Sequence, residues 1–185
     1  MDLPQHIVML GLMGSGKTTV GRQVAQRLER PLVDSDAWIE ERTGMTVAAL
    51  WHRGGEAAYR PHEREVVTQT LAGNGPDVLS APAGVVTDRV AVASLEQPGV
   101  FRVWLRADAA TLAERVRFSS HRPLLDGDAE AVLAQQARER APLYEELADV
   151  ILDVEGSSPT ELADRVIEAI GAAPATPHQG RPLNA

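Results

Sequence analysis

His6-Ile7-Val8-Met9-Leu10 runs straight into Gly11-Leu12-Met13-Gly14-Ser15-Gly16-Lys17-Thr18. The first five residues are a short apolar run rich in β-formers, suited to a strand buried on both faces. The next eight read G-x-x-x-x-G-K-T, the phosphate-loop pattern. After it, Val20, Val24, Ala25 and Leu28 recur at helical spacing, with Arg22, Gln23, Arg27 and Glu29 between them. Strand, glycine loop and helix in this order are what phosphate binding requires. Glycines without Cβ let successive backbone N–H groups close around a phosphate, and the helix that starts there adds the positive end of its dipole. Gly14, Ser15, Gly16, Lys17, Thr18 and Thr19 are therefore candidate nucleotide-binding residues. Lys17 is expected to reach the β- and γ-phosphates, and the Thr18 hydroxyl to take a place on Mg²⁺. Of the 18 lysine and arginine side chains, Lys17 is the only lysine. In a chain so biased toward arginine, the retained lysine marks a role that arginine fills poorly.

The composition fits one small enzyme domain. A chain of 185 residues that is 44% hydrophobic is long enough for a single buried core and short for two. A net charge of −8 argues against nucleic acid or an anionic membrane as partner, because counterion release needs a basic surface. No cysteine occurs, which excludes disulfides and thiolate metal sites. The start Met-Asp-Leu-Pro-Gln lacks a basic leader region, and no apolar stretch approaches the ~18 residues of a membrane span. A cytoplasmic location is the expectation.

Along the chain, 31–34, 77–80, 100–105 and 150–153 read as further strands. Helical patterns cover 36–43, 56–72, 108–118 and 129–147, and a last helix follows Ser158-Pro159-Thr160-Glu161, a capping box with proline at its first helical position. Strands alternating with helices predict an α/β fold, a parallel sheet with helices on both faces. Residues 1–170 form the expected single domain. From Gly171 to Ala185 the proline-rich sequence has no periodicity and is expected to be a disordered tail.

In an open α/β sheet, ligands bind beyond the carboxyl ends of the strands. Asp34 and Asp36 stand there, two residues apart, so an extended chain sends both carboxylates the same way. One reading has Asp36 simply capping the helix that opens at Ala37. The other divides the work: Asp34 holds Mg²⁺ through water beside Thr18, and Asp36 accepts the proton of a substrate hydroxyl attacking the γ-phosphorus. Arginine suits phosphates and carboxylates as a planar bidentate donor, which singles out Arg60, Arg115, Arg122 and Arg140. Arg122 lies in a breaker-marked stretch, Phe118-Ser119-Ser120-His121-Arg122-Pro123, read as a lid over about 116–128. Arg60 lies three residues before Glu63, and Arg140 one turn before Tyr144, so each has a helical neighbour able to hold it.

Five ordered motifs then carry a resemblance. They are the phosphate loop with its continuation Thr18-Thr19-Val20-Gly21-Arg22, Asp34-Ser35-Asp36, Glu56-Ala57-Ala58-Tyr59-Arg60-Pro61-His62-Glu63, Arg122-Pro123-Leu124-Leu125, and Arg138-Glu139-Arg140-Ala141-Pro142-Leu143-Tyr144. Together, from about residue 6 to 170, they resemble the shikimate kinase family. The resemblance implies a nucleoside-monophosphate-kinase-like, three-layer fold with five parallel strands in the order 2-3-1-4-5. It also implies transfer of the γ-phosphoryl group of ATP, with Mg²⁺, to the 3-hydroxyl of shikimate, by a monomer. By the same resemblance Asp36 binds the substrate hydroxyls, Arg60 and Arg140 grip the shikimate carboxylate, and Glu63 orients Arg60. Arg122 closes over the phosphates, Arg115 lies along the adenine, and the loop at Ala83 and Gly84 borders the substrate.

One motif departs from the family. Shikimate kinases carry three consecutive glycines after the third strand, where this chain has Pro82-Ala83-Gly84. Proline lacks an N–H, and alanine in a left-handed conformation costs about 1–2 kcal/mol, so the loop is expected to take another path. A lost hydrogen bond to a charged substrate weakens affinity roughly 10- to 150-fold. A kinase for another small hydroxylated acid or cyclitol, and a non-catalytic nucleotide-binding regulator, remain open alternatives on the sequence alone.

Overall fold

The strand before the phosphate loop is buried at every position because it occupies the middle of a sheet. In the computed structural model, which describes residues 3–116 and 129–172, β1 (His6–Leu10) pairs in parallel with β3 (Val78–Ser80) and β4 (Val100–Arg106). β2 (Leu32–Asp34) adds outside β3, and β5 (Val150–Asp153) outside β4. The order is β2-β3-β1-β4-β5, all parallel, as the resemblance implied. The helices are α1 (Lys17–Arg27), α2 (Ser35–Thr43), α3 (Val47–Leu71), α4 (Arg89–Leu95), α5 (Ala109–Val116), α6 (Ala129–Leu147) and α7 (Pro159–Ala172), with a 3₁₀ turn at Val85–Thr87.

Side-chain alternation along β1 divides the core. Ile7 and Met9 face α1 and α7, where Val20, Val24, Leu162, Val166 and Ile170 cover them. Val8 and Leu10 face the opposite layer, against Val66 and Val67 of α3 and Leu133 and Tyr144 of α6. A third cluster of Ile39, Val47, Leu50 and Tyr59 joins α2 to α3. Arg102, 4% exposed inside β4, forks onto Asp149 at the start of β5 and also donates to the Leu95 carbonyl at the end of α4.

Two helical segments exceed the sequence reading. α3 begins at Val47, capped by the Thr46 hydroxyl, and the expected 56–72 helix is only its second part, beyond a break at Gly55 (φ 61, ψ −153). α4 was not expected at all. Its β-branched residues hide the helical pattern, and Asp88, which accepts from the Val90 and Ala91 N–H groups, starts it. The expected lid beyond Val116 and the expected tail beyond Ala172 lie outside the described residues. Among the described residues, no helix is long and apolar enough to cross a membrane.

Candidate active site

The phosphate loop connects the carboxyl end of β1 to α1. Gly14 (φ 81) and Gly16 (φ 96) take left-handed conformations that side chains disfavour. Gly16 is the N-cap of α1 and has no side chain with which to cap it. The amino end of α1 and its dipole line the cleft. The Lys17 ammonium donates to the Gly11 and Leu12 carbonyls at 2.9 and 3.0 Å, which tethers its charge over the loop. Arg115 reaches the Gly14 carbonyl at 3.4 Å from α5. Exposed Thr19 lines the same opening.

Three strand ends converge beside this loop. The Thr18 hydroxyl donates to Asp34 Oδ2 at 2.6 Å and lies 3.0 Å from Ser80 Oγ. Asp34 uses its other oxygen, Oδ1, to accept from the Asp36 and Ala37 N–H groups. Asp34, not Asp36, therefore caps α2, and the simple capping reading of Asp36 is overturned. Mg²⁺ takes oxygen ligands and keeps water and substrate phosphates around one or two carboxylates. Two hydroxyls and the Asp34 carboxylate fit that habit. Among the described residues no cluster of three or more His, Cys, Asp or Glu makes an all-protein metal cage.

α2 and α3 contribute further residues to the same cleft. Asp36 sits half-buried in the first turn of α2 and accepts a hydrogen bond from the Tyr59 hydroxyl at 3.3 Å. Arg60 forks onto Glu56 through Nε and Nη2, at 2.8 and 2.6 Å, and places Nη1 on Glu63. Burial lowers the Arg60 pKa, but Glu63 and Glu56 outweigh this and leave it raised. Glu63 is 5% exposed, and burial pushes its carboxyl up against the pull of Arg60 and Arg140. Asp36 also acts on the Glu63 charge, so Asp36, Arg60, Glu63 and Arg140 form one electrostatic group.

The loop after β3 closes this group. Arg140 Nη1 and the Tyr144 hydroxyl both donate to the Ala83 carbonyl, at 3.1 and 2.7 Å. Burial pushes the Tyr144 phenol up, so it stays a donor, and its ring stacks on Trp104 at 5.5 Å. The strain anticipated at Ala83 does not arise. Glu29 is the only non-glycine residue with positive φ among the described residues, and Gly84 itself is right-handed (φ −88, ψ −6). A turn from the Pro82 carbonyl to the Val85 N–H, which uses no proline donor, carries the chain through the loop. Gly84 leaves room for the Arg60 guanidinium where it stands. A Cβ there would lie 1.7 Å from Arg60 Nη1 and 3.0 Å from Glu63 Oε2.

One cleft of about 890 Å³ is lined by Gly14 to Thr19, Asp34, Asp36, Arg60, Ala83, Gly84, Arg115 and Arg140, all singled out from the sequence. Arg122 lies outside the described residues. Sequence reasoning missed Ser80 and Tyr59, along with Ser157 and Pro159 on the wall near α7. Ser80 was findable, since it ends a strand on the binding side. Tyr59 was not, because its role comes from a neighbour 23 residues away.

Comparison with known proteins points one way. A family profile described as "Shikimate kinase" matches residues 13–171. The chain is 41% identical over 170 residues to a shikimate kinase of Ruegeria pomeroyi, covering 91% of this chain and 86% of that one. It is 39% identical over 166 residues to one from Thermobifida fusca, covering 90% and 95%. Its structure resembles that of a shikimate kinase from Acinetobacter baumannii in complex with shikimate, with a TM-score of 0.87 and 31% identity, over 92% of this chain and 94% of that one. A gluconokinase from Sinorhizobium meliloti, at 21% identity and a TM-score of 0.63, shares the fold.

Proposed function

This chain belongs to the shikimate kinase family, and from that premise we propose that it transfers the γ-phosphoryl group of ATP to the 3-hydroxyl of shikimate. The observation that carries the proposal is the pairing of two sets of groups in one cleft. Lys17 and the amino end of α1 line it together with Asp36, Arg60 and Arg140, and those three all act on the buried Glu63 charge. Phosphoryl transfer needs little covalent help from protein, so positioning and charge account for most of the catalysis.

In this reading the N–H groups of Gly14 to Thr18 and the Lys17 ammonium neutralise charge on the phosphates. Arg60 and Arg140 hold the shikimate carboxylate, each supported from behind by Glu63 or by the Ala83 carbonyl. Asp36 orients the 3-hydroxyl and takes its proton as the new O–P bond forms and the bond to ADP breaks. Thr18, Ser80 and Asp34 would hold Mg²⁺, which would supply charge neutralisation to the phosphates. Arg115 flanks the adenine, and Arg122 closes over the phosphates. We assign the last two roles, a cytoplasmic location and a monomeric state from the family.

The test is shikimate-dependent ADP release with saturating MgATP, run beside a panel of other small hydroxylated acids and cyclitols. Turnover is expected with shikimate and not with the panel; release that is independent of shikimate overturns the reading. Lys17→Met is expected to lower turnover at least about a thousandfold while circular dichroism stays that of the wild type.

A further inference from the structure

We infer that Tyr59 is a positioning residue for the acceptor side of the reaction, its phenol fixing the Asp36 carboxylate where the acceptor hydroxyl meets it. This rests on the reading of Asp36 given above. Tyr59 is 5% exposed and lies edge-on to Trp51, with ring centroids 5.9 Å apart and planes at 71°. Its ring also packs with Ile39, Val47 and Leu50. That packing on several sides leaves the ring little freedom, and a phenylalanine ring would serve the packing equally well. The hydroxyl adds a donor 3.3 Å from Asp36 Oδ1. A buried phenol needs a partner, and Asp36, the group proposed to receive the proton, is one.

The arrangement also sorts charges. Lys17, Arg60 and Arg140 all line the same cleft, and a loosely held carboxylate would be drawn toward any of them. Arg60 is bonded to Glu56 and Glu63. The Tyr59 phenol is a neutral donor, so its bond to Asp36 fixes direction without itself adding a cation beside the substrate carboxylate. Small displacements of a reacting group cost large factors in rate, so this hydrogen bond belongs to kcat rather than to donor binding.

The experiment is Tyr59→Phe in the full chain, with kcat, both KM values and the unfolding midpoint measured against wild type. The expected result is a fall of about tenfold in kcat with shikimate, an unchanged KM for MgATP and an unfolding midpoint within a few degrees of wild type. A kcat within twofold of wild type overturns the inference. So does an unfolded variant, or a loss spread equally over kcat, both KM values and stability, because each assigns the phenol to the fold alone. Wild-type protein without shikimate turnover removes the assignment of Asp36 and this inference with it, whereas an unaffected Tyr59→Phe leaves that assignment standing.

Discussion

Gly84 shows how one missing carbon leaves room for the Arg60 and Glu63 pair. Its backbone is the floor against which Arg60 and Glu63 pair, and a Cβ would fall within bonding distance of the guanidinium. Gly84→Ala is therefore expected to dislodge Arg60 and raise the shikimate KM roughly 10- to 150-fold, the equivalent of one charged hydrogen bond, with the MgATP KM little changed. Steady-state kinetics with each substrate varied in turn checks this. The same residue marks what the sequence could disclose. Asp34, Asp36, Arg60 and Arg140 were legible because they follow strand ends or stand in motifs. The division of labour between the two aspartates was only half legible, since it depends on Asp34 spending one oxygen on the α2 backbone and the other on Thr18. The strain expected from Pro82-Ala83 was a local inference that a simple turn made unnecessary.

At the scale of elements, the join between β2 and α2 carries both stability and chemistry. Asp34 ends the strand, caps the helix and anchors Thr18 at the head of α1. Substitutions can separate these duties. Asn retains the capping oxygen but not the charge, so Asp34→Asn is expected to lose most activity at nearly unchanged stability. Asp34→Ala is expected to lose activity and also about 1 kcal/mol of stability, measured by urea unfolding. Elements were legible in the sequence where periodicity was long. The strands and α6 read out to within a residue or two, whereas the Gly54-Gly55 pair disguised the start of α3. That break has a use, because it turns the helix just before Glu56, Tyr59, Arg60 and Glu63, which all line the cleft.

For the whole molecule, a parallel sheet points every strand's carboxyl end to one side, which is why residues far apart in sequence meet. Thr18 follows β1, Asp34 ends β2 and Ser80 ends β3, and the Thr18 hydroxyl touches both of the others. That convergence follows from alternating strands and helices alone. The strand order does not, since it depends on which faces α1, α3 and α6 cover, and it came into view through the five-motif resemblance. The lone lysine has a further consequence. A protease specific for lysyl bonds has a single target in this chain, Lys17-Thr18, inside the phosphate loop and the first turn of α1. The rate of that one cut therefore measures local opening of the loop, undiluted by any other site. Nucleotide at about 100 times its Kd is expected to slow it about a hundredfold, an affinity measurement that needs no acceptor, label or turnover.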